Sequence, residues 1–141
     1  MATERKIELL RIAHVTYRHK DMDAMRPFYA DFGFQEVSRV GNKTYYRGYG
    51  TEPFVLCAEA AEEDEFGGPS FVVEKEEDLK YASETLPKAT EVYELKDAPG
   101  GGKAVTFWDP VDGFPFTLVY GQTPVEPCAP EFPELKVNYV S

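Results

Sequence analysis

The places where this chain could do chemistry are two histidines, a tyrosine-rich stretch with one arginine, a glycine-rich loop and an acidic run. His14 stands in a stretch of alternating faces, with Ile12, His14 and Thr16 on one side and Ala13, Val15 and Tyr17 on the other. An imidazole there is either a hydrogen-bonded core group or a cavity-facing acid/base whose surroundings can bring its midpoint near neutrality. His19 lies five residues further along the same strand, so it points to the opposite face and cannot easily share a ligand with His14. The run TYYRGY at 44–49 places Tyr45, Arg47 and Tyr49 on one face and Thr44 and Tyr46 on the other. Its ordinary reading is core aromatics beside an arginine with a packed stem. Its functional reading is a wall that stacks on an aromatic ligand while Arg47 holds a carboxylate or phenolate. Strand parity leaves open which face meets a cavity, and Tyr46 and Arg47 stand beside His14 as candidates for proton transfer.

Other signals are weaker. The run Pro99, Gly100, Gly101, Gly102, Lys103 lacks the spacing of a phosphate-binding loop and joins two strands, so a hairpin that could lid a cavity is the better reading. Thr106 and Trp108 are expected to face opposite ways, with at most one lining a cavity. The acidic run 59–65 reads as a solvated linker. Pro27 near the middle of the first helix removes a hydrogen bond and is expected to kink it.

Composition bounds the classes. With 141 residues, 43% hydrophobic and 14% aromatic, the chain can bury a core as one compact domain. A net charge of −10 repels phosphate backbones and anionic membranes, so neither nucleic acid nor a membrane is expected as partner. The first ten residues carry charges where a signal peptide needs an apolar run, and no stretch approaches a membrane span. Cytoplasm is the expected compartment. Two cysteines, Cys57 and Cys128, make neither a disulfide framework nor a zinc motif.

The elements that position these residues come in a repeating order. A strand over 12–17 leads to a helix capped by Asp21, with Met25, Phe28, Tyr29 and Phe32 on one face and Gly33 as its stop. Strands are expected at 34–40, 44–49 and 54–59. The second series is a short strand at 70–73, a helix at 76–86 stopped by Pro87, and strands at 91–95, 104–108 and 114–120. Two copies of strand, helix and three strands form an internal repeat, with units at about 8–60 and 68–121. The tail at 122–141 has Pro124, Pro127, Pro130 and Pro133 at intervals of three, which suits a polyproline II helix serving as a surface linker or as a strap.

A strand with one polar histidine, then a capped helix ending in F-Y-x-x-x-G-F, resembles the opening of the vicinal oxygen chelate superfamily. That superfamily contains glyoxalase I, bleomycin- and fosfomycin-resistance proteins and extradiol dioxygenases. The run DPVDGFPFTLVYG is similar to the family's D-P-D-G turn and following strand, with Val111 as an extra residue. The runs YYRGYGTEPFVL, DEFGG and DAPGGGK are similar to the first module of fungal extradiol dioxygenase-like proteins. In those relatives a second module follows, and none is expected here after residue 121. The resemblance implies an α+β fold of two βαβββ units forming a curved mixed sheet around a cavity, with the helices outside.

Members that use a metal hold it on the first and last strands of each half. Here the matching places fall at His14, near Gly68, at Val55 and at Thr117. A site for iron, manganese or zinc needs about three histidine or carboxylate ligands, and only His14 qualifies. No cofactor is expected, unless Glu59 or a dimer mate completes a divalent-metal site. The resemblance implies an enzyme acting on a small aromatic or polyketide-like molecule. Its proton transfer at His14, helped by Tyr46 or Arg47, would drive an isomerisation, cyclisation, dehydration or decarboxylation. Thr16, Tyr45, Val55, Cys57, Ser70, Trp108 and Thr117 are the expected binding residues. Two alternatives stand beside this reading: a metal-dependent dioxygenase or glyoxalase, and a ligand-binding module without catalysis. A homodimer is expected, because apolar sheet edges are left for a partner to cover.

Overall fold

The computed structural model describes residues 7–111 and 113–127. The first unit is β1 (Leu9–His19), α1 (Met22–Asp31), β2 (Gln35–Val40), β3 (Lys43–Arg47) and β4 (Leu56–Ala60). The second is β5 (Glu65–Val73), α2 (Glu76–Thr85), β6 (Tyr93–Glu94), β7 (Lys103–Trp108) and β8 (Pro115–Tyr120). All eight strands form one mixed, curled sheet in the order β2-β3-β4-β1-β5-β8-β7-β6. That order reads the same from both edges when β1 is exchanged with β5. The first strand of each unit pairs in parallel with its last, and β1 joins β5 antiparallel at the centre.

Side-chain parity separates the two faces. Helix α1 starts where the Asp21 carboxylate accepts the Ala24 N–H at 3.1 Å, and it buries Met22 and Tyr29 against Tyr46, Leu56 and Ala58. Helix α2 presents Leu79 and Ala82 to Val73, Val105 and Leu118. These two clusters fill the convex side. On the concave side Tyr45, Phe54 and Cys57 form a separate cluster with Val40 and Ala98.

Several elements differ from the sequence reading. Phe28 and Phe32 were expected on the buried face of α1, yet they remain 50% and 69% exposed. The packed row is Met22, Met25 and Tyr29, so the two phenylalanines stand one row away, with ring centroids 4.8 Å apart. The acidic run is a linker only over 61–64, since Glu59 ends within β4 and Glu65 opens β5. Pairing along the length of β1 extends β5 to nine residues, and Arg18 lies between the two carboxylates at 3.4 and 3.3 Å. Tertiary pairing overrode the charge pattern there. The strand expected at 91–95 is two residues long, and those expected at 44–49 and 54–59 give way to a loop over 48–55. Of the proline-rich tail, 122–127 is described, and the rest lies outside the described residues, as does Asp112 of the expected turn. Among the described residues no helix is long and apolar enough to cross a membrane.

Within the second unit, the approach of β8 to β5 leaves no room for a side chain at Gly68. Gly68 has φ +100°, and a Cβ on it would stand 1.9 Å from the Pro115 carbonyl oxygen. Gly68→Ala combines left-handed strain with a backbone clash, so it should cost at least about 3 kcal/mol in chemical denaturation. A Gly68→Ala protein of unchanged stability would contradict this packing of β8 on β5.

Candidate functional site

The concave face encloses a cavity of about 580 Å³, a size suited to a small organic ligand. Two rows of side chains cross it, set by strand register. Tyr45, Cys57 and Thr16 follow one another from β3 to β4 to β1, and Gly68 continues the row on β5. His14, Ser70, Thr117 and Thr106 follow one another from β1 to β5 to β8 to β7. The second row ends in a hydroxyl chain, with Thr117 and Thr106 oxygens 2.9 Å apart and Thr106 and Tyr93 oxygens 2.7 Å apart. Aromatic rings supply the walls, notably Phe54, Trp108, Phe66 and Phe114.

The floor of this cavity is uncharged at neutral pH. His14 is 8% exposed, its ring centroid lies 4.2 Å from that of Phe54, and its Nδ1 is buried without a hydrogen-bond partner among the described residues. Burial disfavours the imidazolium and lowers the His14 pKa to about 4. Burial likewise raises the Cys57 thiol to about 11 and the Tyr45 phenol to about 12. The charges line the periphery. Arg18 is paired with Glu59 and Glu65, whereas Lys43 forms no ion pair among the described residues.

Of the residues singled out from sequence, the cavity gathers His14, Thr16, Tyr45, Cys57, Ser70, Trp108 and Thr117. It does not gather three others. Tyr46 packs beneath α1, and its buried hydroxyl has no protein partner. Val55 packs against the same cluster. Arg47 turns away to backbone carbonyls of Gly48, Gly50 and Glu126. Tyr45 and Tyr46 had equal claims in sequence, and α1 decides between them by covering one face of β3. Thr106 and Trp108 both line the cavity, because residues two apart on a strand share a face. His19 lies on the helix side, 2.6 Å from the Tyr29 hydroxyl. The sequence reading missed Phe54, Tyr93 and Lys43. Phe54 precedes β4 in a loop, where alternation gives no signal, while Lys43 shares the parity of Tyr45 and could have been found.

Two of the places matched to metal ligands from sequence, near Gly68 and at Val55, lie two residues from the side chains that meet the cavity there. The register partner of His14 is Ser70, while Gly68 sits opposite Thr16, and on β4 Cys57 rather than Val55 meets the cavity. The donors in the row beyond His14 are therefore hydroxyls, and the nearby thiol is held protonated. Among the described residues no group of three His, Cys, Asp or Glu side chains could hold a metal ion. This donor set does not fit the metal site of the metal-using members.

The model of the Glyoxalase/Bleomycin resistance protein/Dioxygenase superfamily matches residues 11–118. No curated protein matches the chain significantly. Among solved structures, the Mn(II)-bound glyoxalase from Novosphingobium aromaticivorans is 24% identical with a TM-score of 0.75, the match covering 88% of this chain and 43% of that one. Homoprotocatechuate 2,3-dioxygenase from Brevibacterium fuscum, in complex with 3,4-dihydroxyphenylacetate, is 22% identical with a TM-score of 0.75, covering 96% and 42%. An extradiol ring-cleaving dioxygenase from B. fuscum is 24% identical with a TM-score of 0.72, covering 85% and 35%. The chain thus spans less than half the length of each, and the likeness is one of fold.

Two outcomes follow from this geometry. Unfolded, His14 protonates near 6.5, and folded, near 4. Between those values the unfolded chain binds more protons, so the stability due to neutral His14 is full above 6.5 and is lost as pH falls toward 4. Acidification over that window should therefore cost the wild type on the order of 3 kcal/mol more than His14→Gln, measured by urea denaturation. Equal losses would contradict the burial of an uncharged ring. Tyr46→Phe removes an unpartnered buried hydroxyl, so it should leave stability unchanged or raise it by up to about 1 kcal/mol, with ligand binding intact.

Proposed function

We propose that this chain, which belongs to the Glyoxalase/Bleomycin resistance protein/Dioxygenase superfamily, binds a small aromatic or polyketide-like molecule on its concave sheet and transfers a proton through His14. The observation that carries this reading is a buried, uncharged imidazole with an unpartnered Nδ1, lining a ring-walled cavity beside a row of hydroxyls. A planar ligand gains most from aromatic walls. The bound 3,4-dihydroxyphenylacetate of the B. fuscum neighbour, an aromatic acid, agrees with that class.

A neutral imidazole takes a proton from an acidic C–H or O–H of the ligand, leaving the electron pair on the ligand as an enolate or phenolate. The negative oxygen is stabilised by hydroxyl donors, which Ser70, Thr117 and Thr106 provide in the row that starts at His14. Its charge also offsets the cost of forming an imidazolium in a dry site. Return of the proton to a second position gives an isomerisation. Return of the proton to a departing hydroxyl gives a dehydration, and attack of the enolate carbon on a second carbonyl of the ligand, whose oxygen then takes the proton, gives a cyclisation. Where the proton comes instead from a β-keto acid, loss of carbon dioxide leaves an enolate whose carbon takes the proton back, which is a decarboxylation. Tyr46 and Arg47 do not themselves transfer the proton, since neither lines the cavity. The protein is proposed to work in the cytoplasm as a homodimer, to which the exposed pair Phe28 and Phe32 offers an apolar surface.

A second reading has support in length. A chain spanning 43% or less of its structural neighbours corresponds to one module, which could bind the same ligand without turning it over. Screening phenolic acids and polyketide-type diketones by calorimetry, with NMR detection of product, separates the two. The proton-transfer reading expects turnover that falls about 10²–10⁴-fold in His14→Gln, with affinity nearly kept. Binding without turnover supports the second reading. Turnover that survives His14→Gln removes His14 from the chemistry. Stoichiometric iron, manganese or zinc in the purified protein would replace proton transfer with the metal-dependent alternative.

A further inference from the structure

The guanidinium of Arg47 spends its donors on backbone carbonyls from two distant segments. Its Nε donates to Gly48 at 3.2 Å, and one terminal nitrogen donates to Gly50 at 3.0 Å and to Glu126 at 2.6 Å. The first two acceptors hold the loop over 48–53 to its own strand. The third holds the chain beyond β8 against that loop. Two further bonds run alongside: the Val125 N–H donates to the Thr51 carbonyl at 2.9 Å, and the Thr123 N–H to the Gly100 carbonyl at 2.8 Å. Glu52 of the same loop pairs with Arg11 on β1. Gly100 closes the packing, since a Cβ there would lie 2.6 Å from the Pro53 ring.

This clamped loop leads directly into Phe54, which is 2% exposed and packs on both Tyr45 and His14, with centroids at 4.9 and 4.2 Å. The usual way to fix an imidazole is a hydrogen bond on one ring nitrogen. His14 Nδ1 has no such partner among the described residues, which leaves packing to orient the ring, and Phe54 supplies its aromatic contact. What holds Phe54 therefore bears on His14.

We infer that Arg47 is a positioning residue, latching segment 122–126 across loop 48–53 so that Phe54 is held against the His14 ring. Segment 122–126 is then part of the support of the site. The consequence for turnover rests on the role proposed for His14, whereas the latch itself can be tested without any substrate.

The test is NMR on the full chain, reading the nuclear Overhauser contact between the His14 and Phe54 rings and the ring-current displacement of the His14 protons. A second readout is alkylation of Cys57, a neighbour of Phe54 in the same cluster, with mass mapping to separate it from Cys128. Arg47→Ala should lose more than about half of the displacement and alkylate Cys57 about tenfold faster, as loss of local protection predicts. Arg47→Lys keeps one charged donor and should fall between. Val125→Pro removes only the strap's bond to Thr51, so it should remain folded and move both readouts in the same direction. Arg39→Ala breaks a surface pair with Glu36 and should move neither, and the signals of His19 beside Tyr29 should stay in place throughout. If turnover is found, Arg47→Ala should lower kcat with KM nearly held. An unchanged ring contact and alkylation rate in folded Arg47→Ala and Val125→Pro overturn the latch and leave the proposed role of His14 standing. A lost contact beside a fully active His14→Gln protein does the reverse.

Discussion

The antiparallel pairing of β1 with β5 is the constraint on which the concave face depends, because it brings both units onto one sheet and sets the register of every row across it. His14 lies opposite Ser70, and Thr16 opposite Gly68, only in that register. Gly67 makes the approach possible, since a Cβ there would meet Thr16 at 2.7 Å, while Gly68 lets the β8 backbone lie against β5. A slip of one residue would carry His14 to the helix side and replace it with a neighbour of the opposite parity. The chemistry of the cavity is in that sense written at the join and not in any one motif.

The cavity that results is dry at its base and charged around it. Burying His14, Cys57 and Tyr45 together favours the neutral form of each, and the three shifts share one cause, desolvation. A buried imidazole without a fixed partner is a cost to folding, and such costs collect where a ligand is to be met. The hydroxyls of Thr117, Thr106 and Tyr93, by contrast, satisfy one another within the protein. His14 Nδ1 is left for something else to satisfy. Proteins of the same fold include one named as a Mn(II)-bound glyoxalase and one named as an extradiol ring-cleaving dioxygenase, so the sheet alone does not fix the chemistry.

What could be read in the sequence was local. The Asp21 cap, the strand and helix repeat and the family likeness all depend on residues within a few positions of one another, and the double unit followed from them. Parity on β1 also placed His14 and His19 on opposite faces correctly, because one strand carries its own alternation. What could not be read depended on distant partners. Arg47 looked like a ligand anchor among tyrosines, yet its closest acceptor is the Glu126 carbonyl, 79 residues away. Tyr46 and Tyr45 were indistinguishable until α1 covered one of them. Glu59 and Glu65 read as linker charges, and pairing with β1 made strand residues of both. The error over Thr106 was one of counting along a strand, and the register of β7 with β8 corrects it.

The claim that organises this account is that His14 stays uncharged because the fold takes it out of water. NMR titration of its ring protons in the full chain, assigned through a His19→Gln background, measures that directly. The account predicts a midpoint near 4. A midpoint at the ordinary value near 6.5 would mean that the ring is solvated, and the burial of an uncharged imidazole at this site would be contradicted.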